Sequence, residues 1–576
     1  MPAGWSILTD YLRPHLARTL VLACLLLVGI GVELANPQIL RTFIDSATGG
    51  AEMDQLVRIA VVFLVVAVAA QVVSIAETYL AEDLGLIATN ALRADLTLHS
   101  LRLDPDFHAS HTPGELIERI DGDVSTLANV FSRFVVYIIG NGLLIAGLLA
   151  LLVQLDWRVG LVMTVAATLA LLAMNRLRAL AVPHWAAARQ ASADLYGFLE
   201  ERLSGTEDIR ASGATGYVMR RFHERSRRFV RQELSAFAVG MVGFQSAASV
   251  LTIGEAVALG VGGYLFLSGA LTLGGVYLIF AYTQVLNRPI EQITRQMQDL
   301  QQAGAGLRRI RELMRVQPSL SDGARDLPTG ALSVALSGVS FGYLPDEPVF
   351  EGLTLCLDGG QVLGVLGRTG IGKSTLAKLL LRLYDPGAGC IQLGGIDLPQ
   401  VRFTSLRERV GLVTQEIQLF HATVRDNLSL FDPAVSDGAM LDVLEQLELG
   451  AWLRRLPHGL DTRLAPGNAG MSAGEAQLLA FARVFLRDPG LIILDEASSR
   501  LDPATERRIE HAIARLLDGR TGIVIAHRLA TIERVDQILI LDDRGIREWG
   551  PRTALAKDPG SALSALLRTG AQELLA

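Results

Sequence analysis

Apolar residues are concentrated in the first half of this 576-residue chain, where they form six long stretches separated by polar segments. Each stretch has about the length that a helix needs to cross the roughly 30 Å hydrocarbon core of a membrane. An even number of spans places both ends of the chain on the same side. The predicted spans are Thr19–Leu40, Ile59–Ala76, Val135–Leu155, Val159–Asn175, Ala236–Ser268 and Leu271–Leu286.

Basic residues between the spans predict the orientation. Segments 93–133 and 176–231 are rich in arginine, whereas the turns after the first, third and fifth spans hold few basic residues. Because basic segments tend to stay in the cytoplasm, we expect the long segments and both termini to be cytoplasmic. Helical periodicity predicts that the spans continue as helices past the bilayer, with breaks at 104–114 and 204–216. The expected location is the cell membrane, in a bacterium its inner or plasma membrane.

The second half of the chain has a different pattern. Residues 317–330 are rich in proline, glycine, serine and aspartate, which predicts a linker between a transmembrane domain at 1–316 and a second domain at 331–576. After the linker, apolar strands alternate with helical patterns, which predicts a parallel α/β core. The segment Leu332–Leu357 predicts an antiparallel strand pair added to it.

The second domain contains the glycine-rich segment G-R-T-G-I-G-K-S at Gly367–Ser374. This spacing is typical of a P-loop, in which backbone N–H groups surround the phosphates, Lys373 meets the β/γ oxygens and the Ser374 hydroxyl ligates Mg²⁺. A predicted strand at Gln361–Leu366 precedes it and a predicted helix at Thr375–Leu383 follows, so the alternative of a plain glycine turn is disfavoured. The predicted phosphate-binding residues are Gly367, Arg368, Thr369, Gly370, Ile371, Gly372, Lys373, Ser374 and Thr375.

Composition supports this assignment. Among the 52 basic residues the only lysines are Lys373, Lys378 and Lys557, so a lysine in the P-loop is unlikely to be incidental. The net charge of −7 comes from mixed acidic and basic residues without a basic patch, which argues against nucleic-acid binding. The three cysteines predict neither a disulfide framework nor a metal site.

A second group of candidate residues follows the apolar strand Leu491–Leu494. At its carboxyl end Asp495 can hold hydrated Mg²⁺ and Glu496 can polarise a water molecule, the pairing that γ-phosphate hydrolysis needs. The alternative is a solvated acidic strand end. The predicted fold class is therefore a multi-domain membrane protein, with an all-α six-helix transmembrane domain followed by an α/β P-loop NTPase domain.

With these motifs in this order, the chain resembles an ATP-binding cassette (ABC) half-transporter of the exporter type, similar to multidrug and lipid exporters. The resemblance implies that ATP and Mg²⁺ are the cofactors and that Glu496 is the catalytic base. It also implies that Tyr343 stacks on adenine, that His527 orients the attacking water, and that Gln415 reaches both the water and the metal. The implied metal ligands are Ser374, Gln415 and Asp495.

The segment M-S-A-G-E at Met471–Glu475 corresponds to the signature L-S-G-G-Q of this family. Ser472 and Gly474 match, whereas Ala473 and Glu475 depart from it. We expect Ser472, Gly474 and Glu475 to contact the nucleotide. In the family each signature faces the P-loop of another nucleotide domain, which implies a dimer. Because the signature is altered, a different half-transporter is favoured over a second copy as the partner.

The expected function is ATP-driven transport of a small amphipathic molecule, lipid or peptide across the membrane, most simply export. An importer on the same scaffold, for example for a siderophore, and a regulatory membrane ATPase are the alternatives. Glu33 and Glu255 lie in apolar spans, where an acid costs about 2.5–3.5 kcal/mol. Each could face a substrate cavity or form a hydrogen bond between packed helices.

Overall fold

The chain divides into a helical unit and a mixed α/β unit. The computed structural model describes residues 11–133, 138–344, 346–414, 417–465, 471–495, 503–525, 532–543 and 545–569. The helical unit comprises Met1–Arg102 and His111–Gln317, and the α/β unit comprises Leu103–Ser110 and Pro318–Ala576. The short segment at the first predicted break in the membrane half therefore groups with the α/β unit.

Long helices make up the helical unit, and both predicted breaks contain a short helix. The helices are α1 (Leu16–Thr48), α2 (Met53–Arg102), α3 (Pro105–Ser110), α4 (Pro113–Ile117), α5 (Val124–Arg133), α6 (Asn141–Leu155), α7 (Trp157–Ser204), α8 (Thr206–Ala211), α9 (Thr215–Leu267) and α10 (Leu273–Arg315). A π-helical turn at Glu118–Asp123 joins α4 to α5. Helix α3 lies in the first break and belongs to the α/β unit, and α8 lies in the second.

Five described helices are long and apolar enough to cross a membrane. They lie within Arg13–Thr48, Met53–Arg102, Ile138–Leu155, Trp157–Ser204 and Ala248–Leu267. The sixth predicted span, Leu271–Leu286, is not among these five. It coincides with the start of α10, where the polar residues Gln284, Asn287 and Arg288 interrupt the apolar run.

Polar side chains in the apolar helices are paired with other helices. The Gln38 amide donates to the Tyr282 hydroxyl at 2.8 Å, and this hydroxyl donates to the carbonyl oxygen of Leu34. Gln284 donates to the Glu255 carboxylate at 2.7 Å. For Glu255 the structure therefore shows the helix-packing alternative. Such pairs matter because hydrocarbon offers no other hydrogen-bond partner.

An ion pair joins the polar ends of the long helices. Asp123, at the end of the π-helical turn, is buried, and both of its carboxylate oxygens accept hydrogen bonds from the Arg309 guanidinium of α10. The Arg309 Nε to Asp123 Oδ2 distance is 2.9 Å. Gly306, one turn earlier on α10, packs against the same carboxylate. The hydrogen bonds with Asp123 raise the pKa of Arg309 above its usual value.

The α/β unit contains two sheets. Its strands are β1 (Val334–Leu344), β2 (Glu347–Leu357), β3 (Val362–Leu366), β4 (Ala388–Leu393), β5 (Ile396–Asp397), β6 (Val410–Val413), β7 (Leu491–Asp495), β8 (Thr521–Ile525), β9 (Gln537–Asp542) and β10 (Gly545–Pro551). Its helices after α3 are α11 (Lys373–Leu380), α12 (Phe403–Arg409), α13 (Val424–Ser429), α14 (Asp437–Gln446), α15 (Gly450–Arg455), α16 (Ala473–Phe485), α17 (Pro503–Leu517), α18 (Arg552–Leu555) and α19 (Ala562–Thr569).

One sheet is antiparallel, with strand order β2-β1-β4-β5, and it contains the strand pair predicted around Leu332–Leu357. The other has the order β10-β9-β3-β8-β7-β6 and is parallel from β9 to β6. Strands β7 and β8 are almost wholly apolar and buried, as expected for a parallel sheet covered on both faces. The predicted parallel core with an added antiparallel pair is confirmed.

We predict that Arg309→Ala destabilises the helical unit, because it leaves the buried Asp123 carboxylate without its cation. A charged group that loses its partner costs about 1–3 kcal/mol or more, so the apparent melting temperature of the purified protein should fall by several degrees. Arg308→Ala, at the exposed neighbouring arginine, is the matched control. Equal melting temperatures for the two variants would contradict a structural role for this ion pair.

Candidate functional site

The glycine-rich loop lies between β3 and α11, in the order that the sequence predicts. Strand β3 ends at Leu366, and α11 begins at Lys373, two residues earlier than predicted. The capping residue of α11 is Gly372, which has a φ of +108°. A Cβ atom there would lie 2.6 Å from Val349 Cγ1 and 2.9 Å from Phe350 Cζ, so only glycine fits.

Lys373 is buried inside this loop, with 6 % of its surface exposed. Its ammonium donates to the carbonyl oxygens of Gly367 at 2.6 Å and Arg368 at 3.0 Å. A buried ammonium needs such acceptors because an unpaired charge is costly to bury. The contacts hold the cation within the loop, next to the N-terminus of α11, and the positive end of a helix favours an anion.

The remaining loop residues surround this cation. The side chains of Arg368, Thr369 and Ser374 are exposed, whereas Thr375 is buried. Gly370 has a φ of +85°, and a Cβ atom there would meet nothing within 4 Å. Ile371 is partly buried and packs on the hydrophobic core. The loop thus has exposed residues around a buried lysine. This arrangement can accommodate the phosphates of a nucleotide.

The parallel sheet brings further candidate positions to the same edge. Strands β3, β8, β7 and β6 are neighbours, and Asp495 at the end of β7 pairs in register with Ile525 of β8. Carboxyl ends of parallel strands share one sheet edge, where ligands of α/β proteins bind. Gln415, Glu496 and His527, which follow β6, β7 and β8 in the sequence, lie outside the described residues.

Tyr343, which is predicted to stack on adenine, has part of its ring accessible. Its hydroxyl lies 3.1 Å from Thr375 Oγ1 and 3.3 Å from Lys378 Nζ, which ties it to α11. Phe341 and Tyr384 contact the ring edge-on, with centroids 5.1 and 5.3 Å away. Because 41 % of Tyr343 is still exposed, these neighbours orient the ring without covering it.

Tyr384 connects this aromatic group to the segment Leu103–Ser110. Burial, together with the nearby carboxylate of Asp106, raises the pKa of Tyr384 to about 12. The phenol therefore stays protonated at physiological pH. In the same segment, Asp104 accepts a hydrogen bond from the backbone N–H of Ser319 at 2.6 Å. These contacts could not be predicted from the chain's pattern of charges, since the partners are far apart in sequence.

The predicted signature forms the start of α16. Ser472 is the capping residue: its hydroxyl oxygen accepts the N–H of Glu475 at 3.2 Å, and the Glu475 carboxylate accepts the N–H of Ser472 at 2.9 Å. This reciprocal arrangement is a capping box, and it suits glutamine as well as glutamate. Ser472 is exposed at the start of this helix.

Two neighbours of the signature were not expected from the sequence. A Cβ atom on Gly474 would overlap Thr505 Cγ2 of α17, so α16 and α17 pack closely at this glycine. Arg455, the last residue of α15, lies 3.3 Å from the Glu475 carboxylate. Ala476, the residue after the signature, is buried.

The residues present also fit a magnesium ion held together with phosphates. Mg²⁺ in nucleotide sites is bound by one or two protein oxygens, with phosphates and waters completing its shell. Ser374 at the start of α11 and Asp495 at the end of β7 can supply such oxygens. Within the described ranges no cluster of three or more histidine, cysteine or acidic residues could hold a metal alone.

Comparison with known proteins agrees with this geometry. The family model for the ABC transporter transmembrane region matches residues 19–290, and a second family model, described as ABC transporter, matches residues 350–499. An ATP-dependent lipid A-core flippase of Alcanivorax borkumensis is 30 % identical over 480 residues, covering 81 % of each chain. A fatty acid ABC transporter ATP-binding/permease protein of Mycobacterium bovis is 30 % identical over 469 residues, covering 81 % of this chain and 74 % of that protein.

A solved structure supports the fold. A bacterial Atm1-family ABC exporter with ATP bound has a TM-score of 0.81 and 23 % identity, and it covers 97 % of this chain and 98 % of its own. A transmembrane-region match and an ABC transporter match in one chain, together with ATP-dependent transporter relatives, indicate an ATPase coupled to membrane transport. The chain belongs to the ABC transporter family, and its architecture is that of an exporter-type half-transporter. The predicted family, fold class and ATP use are confirmed.

We predict that Gly474→Ala impairs the protein although alanine favours helices. Its added methyl group must displace Thr505, and overpacking of this kind costs about 1–3 kcal/mol. The variant should lose ATPase activity and melt at a lower temperature. Thr505→Ser removes the opposing Cγ2 and keeps the hydroxyl, so the double variant should recover much of both. No recovery in the double variant would contradict the proposed close packing.

Proposed function

We propose that this protein uses ATP hydrolysis between two nucleotide domains to export a lipid-like amphipathic molecule across a bacterial membrane. The observation that carries this proposal is the fusion, in a chain of the ABC transporter family, of membrane-length helices with a P-loop that buries Lys373. The proposed domains are a transmembrane domain at 1–316, a linker at 317–330 and a nucleotide-binding domain at 331–576.

The proposed nucleotide site assigns a role to each candidate residue. The P-loop amides and Lys373 bind the triphosphate, and Tyr343 stacks on adenine. Glu496 accepts a proton from the attacking water, which His527 and Gln415 orient. Ser374, Asp495 and Gln415 would hold Mg²⁺, which when bound neutralises charge on the β/γ oxygens.

The signature would contact the γ-phosphate bound to the other subunit. Ser472 can donate its hydroxyl hydrogen while its oxygen keeps the capping hydrogen bond, and the amide of Gly474 points from the helix start. A dimer is therefore the proposed working unit. The different half-transporter predicted from the sequence remains untested. Since Glu475 occupies a capping position that glutamine also fills, we take two copies of this chain as the first assembly to test.

The substrate class rests on the named relatives. One is named as an ATP-dependent lipid A-core flippase and another as a fatty acid ABC transporter. A lipid or lipid-like amphipath is the substrate class that these names share. Glu33 is a candidate for contact with a substrate headgroup, whereas Glu255 is engaged by Gln284. The proposed topology has the nucleotide domain and both termini in the cytoplasm.

The test is ATP hydrolysis by the purified chain in lipid nanodiscs, with the particle mass measured on the same sample. A dimer of this chain should hydrolyse ATP, and Glu496→Gln should reduce turnover by about 100-fold or more, since the general base is removed. This variant should still bind ATP. Lys373→Ala, which removes the P-loop cation, should lose ATP binding as well.

Three results would count against parts of the proposal. A folded chain that binds no ATP would contradict an ATPase altogether. Full activity in Glu496→Gln would contradict the assigned base. A chain that binds ATP as a monomer and hydrolyses none would contradict two identical copies and would favour the different half-transporter.

A further inference from the structure

Arg455 is the last residue of α15, and it reaches across to the signature. Its Nη2 lies 3.3 Å from Glu475 Oε1. The other carboxylate oxygen, Oε2, accepts the backbone N–H of Ser472 at 2.9 Å. Both oxygens of Glu475 are therefore directed at donors of this subunit. The carboxylate is partly buried, with 21 % of the side chain exposed, whereas Arg455 is 73 % exposed.

The contact between Arg455 and Glu475 matters for nucleotide binding because Glu475 carries a negative charge. An uncompensated carboxylate beside a triphosphate would repel it, and the repulsion grows when water is excluded and the local dielectric constant falls. A guanidinium at hydrogen-bond distance cancels that charge while leaving the capping box intact.

We propose that Arg455 neutralises Glu475 and thereby makes the altered signature competent to bind the triphosphate held by the P-loop of a second copy. This inference rests on the proposed function, since it concerns the same ATP site. Arg455 is a positioning residue: it acts through the charge and orientation of Glu475. The substitution of glutamine by glutamate in the signature and the arginine twenty positions earlier form one functional pair.

The same helix offers a matched control. Arg454 precedes Arg455, is 69 % exposed, and pairs with Glu445 at 2.7 Å. Glu445 belongs to α14 and takes no part in the signature. Removal of Arg454 therefore deletes the same type of side chain and one surface ion pair, without changing the charge at Glu475. Exposed ion pairs contribute little to stability, so the melting temperature should change little in either variant.

The experiment is a double-mutant cycle on the full-length protein in nanodiscs. Its members are the wild type, Arg455→Ala, Glu475→Gln and the double variant, with Arg454→Ala as control. The readouts are kcat and the ATP concentration for half-maximal hydrolysis, together with equilibrium ATP binding. Arg455→Ala should raise the half-maximal ATP concentration about five- to tenfold, equivalent to about 1–1.4 kcal/mol, and lower kcat less.

The cycle separates charge compensation from a structural effect. In the Glu475→Gln background, the effect of Arg455→Ala should shrink to less than twofold, because no charge remains to be neutralised. Arg455→Lys should restore most of the ATP affinity, and Arg454→Ala should match the wild type. Equal losses from Arg455→Ala in both backgrounds, or no loss in either, would overturn the inference and leave the proposed ATPase intact.

Results that contradict the proposed ATPase function can be distinguished from results that contradict only the role of Arg455. If the wild type bound no more ATP than Lys373→Ala, the ATP site itself would be wrong. If the wild type bound ATP through Lys373 but hydrolysed none as a purified dimer, its signature would be incompetent and the inference would be overturned. Hydrolysis by the wild type, with the background-dependent loss described above, is the only result that supports the pair.

Discussion

The buried ammonium of Lys373 constrains the loop between β3 and α11, on which the nucleotide site depends. It needs acceptors, and the carbonyl oxygens of Gly367 and Arg368 provide them only because the loop turns tightly between β3 and α11. This tight loop requires glycine at position 372, where a side chain would overlap Val349 and Phe350. The end of β3, the loop and the start of α11 thus meet around one cation, and β2 packs against the turn at Gly372. The same cation is the group that can hold a triphosphate.

The sequence predicts this part of the structure well because the motif is local. Each residue from Gly367 to Ser374 lies within a few positions of its partners, so spacing alone carries the information. The starts and ends of elements are less certain: α11 begins at Lys373 instead of Thr375. The sixth predicted span, Leu271–Leu286, is followed at once by Asn287 and Arg288, and it is not among the five described helices that are long and apolar enough to cross a membrane. Patterns of hydropathy cannot distinguish a polar residue that faces a partner helix from one that ends a span.

Contacts between distant positions could not be predicted from the sequence. The spacing of Ser472 and Glu475 indicates a capping box, but nothing in the chain indicates that Arg455 joins it. Thr505 packs against Gly474 from another helix. In the helical unit, the ion pair between Asp123 and Arg309 also joins residues that are far apart in the sequence. These contacts depend on how helices pack, and packing follows from the three-dimensional fold as a whole.

The central claim is that ATP hydrolysis moves a lipid-like molecule away from the nucleotide domain. The most direct measurement is the flux of a fluorescent acyl-chain phospholipid in sealed proteoliposomes, with ATP supplied only to transporters whose nucleotide domain faces outward. The account predicts ATP-dependent loss of the probe from the outer leaflet, and none with Lys373→Ala. Sustained ATP hydrolysis without any movement of lipid probes, or movement towards the nucleotide domain, would contradict it.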